Sequence, residues 1–184
     1  MNYHKIEKTS VANGPGVRVV LWVSGCSLHC KGCHNPQTWD LNSGKLFDEA
    51  AKQELFEALN KPYIQGITFS GGHPLEPENI KKCLGLCMEI KLRYPNKDIW
   101  LYTGYTFEEI CEKYCYERFY SLIGANNIQY TNWEHLQYID VLVDGPYIEE
   151  QRDITLPFRG SKNQRLIDVK ETIKQNKIIQ YKIN

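Results

Sequence analysis

Arg18-Val-Val-Leu-Trp-Val-Ser24, running directly into Gly25-Cys-Ser-Leu-His-Cys-Lys-Gly-Cys33, is the stretch on which the fold turns. Its first half is short, apolar and β-branched and follows the turn-rich Asn13-Gly-Pro-Gly16, which marks a buried strand. Its second half sets Cys26, Cys30 and Cys33 in a Cys-x3-Cys-x2-Cys loop straight after that strand. Three thiolates at this spacing can meet at one inorganic body. They are one fewer than the four that normally hold an iron-sulfur cube used only for electron transfer. The loop therefore reads as the ligand set of a 4Fe-4S cluster with one iron left open to a non-protein ligand. Taken alone, the spacing also admits tetrahedral zinc, with His34 or His29 as the fourth ligand.

Working outward, Asp48 to Asn60 carries acidic residues early and an apolar stripe of Ala51, Leu55, Phe56 and Leu59, the spacing of an amphipathic helix. Gln65-Gly-Ile-Thr-Phe-Ser70 is the next strand candidate and runs into Gly71-Gly72. Glu76 to Tyr94 reads as a helix, Asp98-Ile-Trp-Leu-Tyr-Thr103 as extended, Thr106 to Cys115 as a helix, and Ile139-Asp-Val-Leu-Val-Asp144 as a strand. Strands alternating with helices imply right-handed βαβ units, a parallel sheet and an α/β class. A closed eightfold barrel takes about 250 residues, so the expected architecture is an incomplete, open β/α barrel. Ligands in such sheets sit at the carboxyl ends of the strands. The cysteine loop, Gly71-Gly72, Thr103-Gly104 and Asp144-Gly145 all fall there. Gly145 to Gln164 reads as loop.

The chain has 184 residues, 42% hydrophobic and 24% charged, enough for one core and too little for a second full domain. Lys plus Arg equals Asp plus Glu at 22 each, so no overall basic field favours nucleic acid and no polybasic run favours a membrane surface. The opening Met-Asn-Tyr-His-Lys-Ile-Glu-Lys is too polar for a signal peptide, and no apolar run approaches a membrane span. The cytoplasm is the expected location. There, an odd count of seven cysteines reads as thiols and metal ligands rather than disulfides.

With its cysteine loop after the first strand and Ser-Gly-Gly-His-Pro at 70–74 after the second, the chain resembles the radical S-adenosylmethionine superfamily. Asn13-Gly-Pro-Gly-Val-Arg18, Ser24-Gly-Cys26, Gly32-Cys-His-Asn-Pro-Gln-Thr-Trp-Asp40, Tyr102-Thr-Gly-Tyr105, Asp140-Val-Leu-Val-Asp-Gly-Pro-Tyr147 and Phe158-Arg-Gly-Ser161 narrow the match. In that order they resemble the activating proteins of anaerobic (class III) ribonucleotide reductase. The resemblance covers residues 1–168, read as one radical S-adenosylmethionine domain, and leaves 169–184 as a charged C-terminal extension without assigned structure.

The resemblance implies that Cys26, Cys30 and Cys33 hold one 4Fe-4S cluster whose fourth iron is chelated by S-adenosylmethionine. Reductive cleavage of that molecule would give methionine and a 5′-deoxyadenosyl radical, the cofactors carrying the hard chemistry. Gly71 and Gly72 would face the methionine ammonium, Gly32, Cys33 and His34 the adenine, and Thr103 and Asp144 the ribose or the methionine carboxylate. The target would be a glycine Cα hydrogen in the large subunit of the reductase, with flavodoxin or a similar low-potential protein as electron donor. The chain departs from the commonest pattern at His73, where a carboxylate is usual, and at His34, where tyrosine is more frequent. Two other readings compete: a small-molecule radical enzyme of the deazaguanine synthase kind, and a zinc-stabilised interaction module.

The remaining cysteines form i, i+4 pairs, Cys83 with Cys87 and Cys111 with Cys115, each sharing a helix face. A second cluster is conceivable from them, but buried thiols packing as small hydrophobes are the expectation. His4 and His135 carry no motif. The aromatic-rich segment from Tyr114 to Tyr138 reads as core or sheet cover. Arg18 and Arg159 are equally suited to an anion or to a structural ion pair.

Overall fold

The computed structural model describes residues 1–115 and 136–183. His135, the side chain of Cys115 and most of the aromatic-rich segment lie outside the described residues. Among the described residues, one seven-stranded sheet forms in the order β3-β1-β2-β4-β5-β6-β7. Its strands are β1 (Asn2–Ser10), β2 (Arg18–Val23), β3 (Lys45–Leu46), β4 (Gly66–Gly71), β5 (Asp98–Tyr102), β6 (Val141–Asp144) and β7 (Arg165–Asp168). The four central strands β2, β4, β5 and β6 are parallel, as the strand and helix alternation implies. The flanking strands correct the expectation of a wholly parallel sheet. β1 and β3 run antiparallel on one side, and β7 runs antiparallel to β6 on the other.

The period of two in each strand divides the core. Val19, Leu21 and Val23 of β2, Ile67 and Phe69 of β4, and Ile99 and Leu101 of β5 face one way. They pack against Leu55, Phe56 and Leu59 of α1 (Glu49–Leu59) and Leu86 and Ile90 of α2 (Pro77–Arg93). Each such aliphatic side chain, fully buried, contributes about 1.5–3 kcal/mol. On the opposite face Trp100, Val141, Val143 and Leu166 form a second cluster, covered by Phe158 and Tyr181 rather than by helices. Helix α1 begins where expected, with the Asp48 side chain accepting from the Ala51 amide. Helix α2 begins at Pro77, whose missing N–H costs nothing in a first turn. A capping box of Thr106 and Glu109 starts the short α3 (Phe107–Ile110), which continues as a π-helical turn over Cys111–Cys115.

Strand β1 was not legible as a strand. Its residues are mostly polar because it lies near the sheet edge, with Tyr3 and Ser10 buried and Lys8 paired at the surface with Glu54 at 2.9 Å. The chain after Asp168 is also folded. Helix α4 (Val169–Gln175) ends on the left-handed Asn176, and the segment beyond returns along β7. The Asp168 amide donates to the Ile179 carbonyl at 2.9 Å and the Tyr181 amide to that of Leu166 at 2.8 Å. Among the described residues, no helix is long and apolar enough to cross a membrane.

Candidate active site

A cavity of about 310 Å³ opens at the carboxyl ends of the parallel strands. Its wall includes Cys26, Cys30 and Cys33 of the loop after β2, and with them His34, Gly71, Gly72, His73, Thr103, Gly104 and Tyr147. The three thiols are partly exposed and free. Among the described residues no three His, Cys, Asp or Glu side chains close tightly enough to hold a lone metal ion.

Backbone N–H groups of the loop are directed at its sulfurs. Burial pushes the Cys26 thiol upward, opposed by the amides of Leu28 and His29 directed at its sulfur, while the charges of Glu76 and Cys30 push the same way as burial. His29 adopts a positive φ of 44° in this turn and stacks its ring on Trp39 at 4.6 Å. The Asn35 amide donates to Cys33 Sγ at 3.4 Å. N–H groups aimed at sulfur suit cysteines that ligate iron, because they stabilise the charge of a thiolate. The donor set thus fits an iron-sulfur cluster.

Gly71 and Gly72 are required by the protein's own backbone as well as by the cavity. Gly71 has φ +100°, and a β-carbon there would meet the Val23 carbonyl at 2.8 Å. One on Gly72 would lie 2.5 Å from the Gly25 carbonyl. The Gly72 amide donates to the Val23 carbonyl at 2.8 Å and the His73 amide to that of Gly25 at 2.6 Å, so the end of β4 is stitched to the start of the cysteine loop.

His73 is 1% exposed. Its Nδ1 lies 3.2 Å from Glu76 Oε1 and its Nε2 2.8 Å from Thr103 Oγ1. A carboxylate only accepts, so Nδ1 carries a proton. Nε2 pairs with the Thr103 hydroxyl, whose oxygen also accepts from the Tyr105 amide at 3.1 Å. Glu76 Oε1 also accepts from the amide and the hydroxyl of Ser27, each at 2.7 Å. The His73 contact first, and then Ser27, hold the Glu76 carboxyl down at about 2 against the opposing effect of burial. A carboxylate is therefore present beside the cavity, three residues after His73 rather than at its position.

The other residues singled out in the sequence divide between wall and support. Cys33, His34 and Thr103 line the cavity, and the His34 ring lies 5.6 Å from that of Tyr147. Gly32 lies outside the cavity lining, where a β-carbon would overlap the Glu149 carboxylate; its bareness lets the Tyr147–Glu149 segment close on the cysteine loop. Asp144 is fully buried and also outside the lining. It accepts from the Phe107 amide at 2.8 Å and from Arg165, whose guanidinium also meets Glu108. These two carboxylates raise the Arg165 pKa. Asp144 thus fixes the strand end from which Gly145 reaches the cavity.

Arg18 is spent inside the fold: it is fully buried, paired with Asp98 at 2.7 Å, and donates to Thr68 Oγ1 and the Ile67 carbonyl, each at 2.9 Å. Arg159 donates to the Gln164 carbonyl at 3.3 Å. Cys83 and Cys87 are core thiols, with burial pushing Cys83 to about 12 and raising Cys87 as well. Sequence reasoning passed over Glu76 and Tyr147. Glu76 stands just before Pro77 and so reads as a helix boundary, while Tyr147 was visible only as part of a longer motif.

Residues 12–167 match the family model described as a 4Fe-4S single cluster domain. The chain is 42% identical over 166 residues to the anaerobic ribonucleoside-triphosphate reductase-activating protein of Enterobacteria phage T4, covering 90% of this chain and 93% of that protein. It is 40% identical to the protein of the same name from Vibrio cholerae serotype O1 and 39% identical to that from Escherichia coli K12, in each case over 89% of this chain and 96% of the relative. By this extent and level of identity, carried across the cysteine loop and the strands that frame it, the chain belongs to the family of anaerobic ribonucleoside-triphosphate reductase-activating proteins.

Proposed function

We propose that this protein is a radical S-adenosylmethionine enzyme that installs a glycyl radical on the large subunit of anaerobic ribonucleotide reductase. The observation that carries the reading is the gathering of Cys26, Cys30 and Cys33 with Gly71, Gly72, His34 and Thr103 around one cavity at the strand ends. Cys26, Cys30 and Cys33 would hold the 4Fe-4S cluster. When bound, the cluster would supply the electron that cleaves S-adenosylmethionine to methionine and a 5′-deoxyadenosyl radical, which takes the glycine Cα hydrogen.

The chain's own residues position and shield. Gly71 and Gly72 leave backbone open to the ammonium of the methionine end, with the Thr103 hydroxyl close by. Cys33 and His34 offer backbone and ring to the adenine, and Tyr147 closes that side. Gly32 and Asp144 act from behind the wall, one by admitting the Tyr147–Glu149 segment and the other by anchoring the end of β6. Helices α1 and α2 on one face only, with the central strands stepping in one direction from β2 to β6, support an incomplete, open barrel. Such a scaffold leaves one side for the glycine loop of the partner to enter, and exclusion of water then belongs to the complex. Residues 1–168 would form the catalytic domain, acting in the cytoplasm with flavodoxin or a similar low-potential protein as donor.

Electron paramagnetic resonance on the anaerobically reconstituted protein tests the reading. A reduced-cluster signal that changes on adding S-adenosylmethionine, followed by a glycyl doublet on the reductase subunit, is the expected outcome. S-adenosylmethionine cleavage without a doublet would retire the partner and favour a small-molecule substrate. A colourless protein that takes up zinc and no iron would retire the chemistry.

A further inference from the structure

One oxygen, Glu76 Oε1, gathers three donors: the Ser27 amide and hydroxyl, each at 2.7 Å, and His73 Nδ1 at 3.2 Å. Ser27 follows Cys26 directly and opens the turn whose Leu28 and His29 amides point at the Cys26 sulfur. Glu76 itself stands at the head of α2 and is 5% exposed, so water screens its charge little. The other charges around the loop are in wetter places. Lys31 and Glu150 pair at the surface at 3.1 Å, and Glu149 engages the Tyr147 hydroxyl at 2.5 Å in a partly exposed segment. His73 adds its Nδ1–H to the same oxygen and is itself held by the Thr103 hydroxyl at Nε2.

We propose that Glu76 is a positioning residue that fixes the turn around Cys26 and, through its buried negative charge, keeps the reduction potential of the cluster low. The inference rests on the reading that Cys26, Cys30 and Cys33 hold the cluster. An electron added to a cluster beside a fixed anion is repelled, so the reduced form is a stronger reductant, and net charge and hydrogen bonding are the levers that set such potentials. A low potential is what one-electron cleavage of a sulfonium demands. The same carboxylate orients the turn, so the two effects come from one atom.

The test is a potentiometric titration of the reconstituted full-length protein, followed by the reduced-cluster resonance, with iron and sulfide counted per chain. Glu76→Gln keeps an accepting oxygen and removes the charge; the cluster should be retained and its midpoint should move to a more positive value. Ser27→Ala keeps the charge and removes one neutralising donor, so its midpoint should move the other way, and it carries the test if Glu76→Gln takes up no iron. An unmoved midpoint in Glu76→Gln, or a positive shift in Ser27→Ala, overturns the proposal. A wild-type protein that assembles no four-iron cluster overturns the reading beneath it, and the iron count separates that failure from the first.

Discussion

His73 Nε2 lies 2.8 Å from Thr103 Oγ1, joining the loop after β4 to the loop after β5 across the back of the cavity. The ring packs edge-on against Tyr105 at 4.4 Å between centroids. His73→Ala should leave Glu76 and Thr103 each short of a partner. The expected loss of stability is about 1–3 kcal/mol, measured by urea unfolding of the apo protein. An unchanged midpoint would show that the ring bridges nothing of consequence.

The Glu76 carboxyl, held down at about 2, makes a stability term with a definite sign. An acid whose pKa is lower when folded than when unfolded stabilises fully above its ordinary value, and that contribution disappears as pH falls toward the folded value. Wild type and Glu76→Gln should therefore differ most above pH about 4.5 and converge as the solution is acidified toward pH 2. A difference that stays constant across this window would mean that Glu76 is not held ionised by His73 and Ser27.

Cys26→Ala, Cys30→Ala and Cys33→Ala should each abolish cluster retention and glycyl-radical formation. Cys83→Ala sits in the core among α1, α2 and the sheet, and should keep the cluster at a cost of about 1 kcal/mol in folding. Iron content and the glycyl doublet are the readouts. Full activity in any of the first three would sink the assignment of the cluster ligands.

Gly72→Ala tests the stitching of β4 to the cysteine loop. Its β-carbon would press on the Gly25 carbonyl at 2.5 Å, where backbone rather than a flexible side chain must move. Overpacking of this kind costs about 1–3 kcal/mol, and the displaced loop should bind less iron per chain. A variant that folds and loads like wild type would mean that the loop yields freely.

Asp144→Leu removes the buried partner of an ion pair and leaves Arg165 to Glu108 alone. Arg165 is partly exposed and keeps Glu108, so the loss is that of buried hydrogen bonds, about 1–3 kcal/mol, and a lowered melting temperature is the expected outcome. The conservative Asp144→Asn, which keeps the acceptor for the Phe107 amide, should lose less. Equal melting temperatures for wild type and Asp144→Leu would remove Asp144 from its anchoring role.

The parallel heart of the fold was legible because β2, β4, β5 and β6 are buried on both faces and so read as apolar runs ending in glycine or in cavity residues. β1 was hidden because a strand near the edge needs little apolar surface, and Lys5, Glu7 and Lys8 disguise its pattern. β7 and α4 were hidden because four-residue and seven-residue elements give the period too few turns to register. The three cysteines declared themselves by spacing. Glu76 did not, because the partner that gives it meaning lies 49 residues away. Thr103 and Asp144 looked alike in sequence, both closing a strand, yet one faces the cavity and the other turns to Arg165. Strand register, which spacing along the chain does not reveal, separates them.

The cysteines themselves span only Cys26 to Cys33, yet their loop is secured from far along the chain: by Glu76, and by Glu150 across 119 residues through Lys31. A ribosome therefore releases all three cysteines long before Glu76 and Glu150 exist. Nascent chains would carry loose, reactive thiols until the last third is made, which orders biogenesis as synthesis, then folding, then iron delivery. Chains halted before Gly145 should capture iron poorly in a cell-free translation, and efficient loading of such fragments would reverse that order.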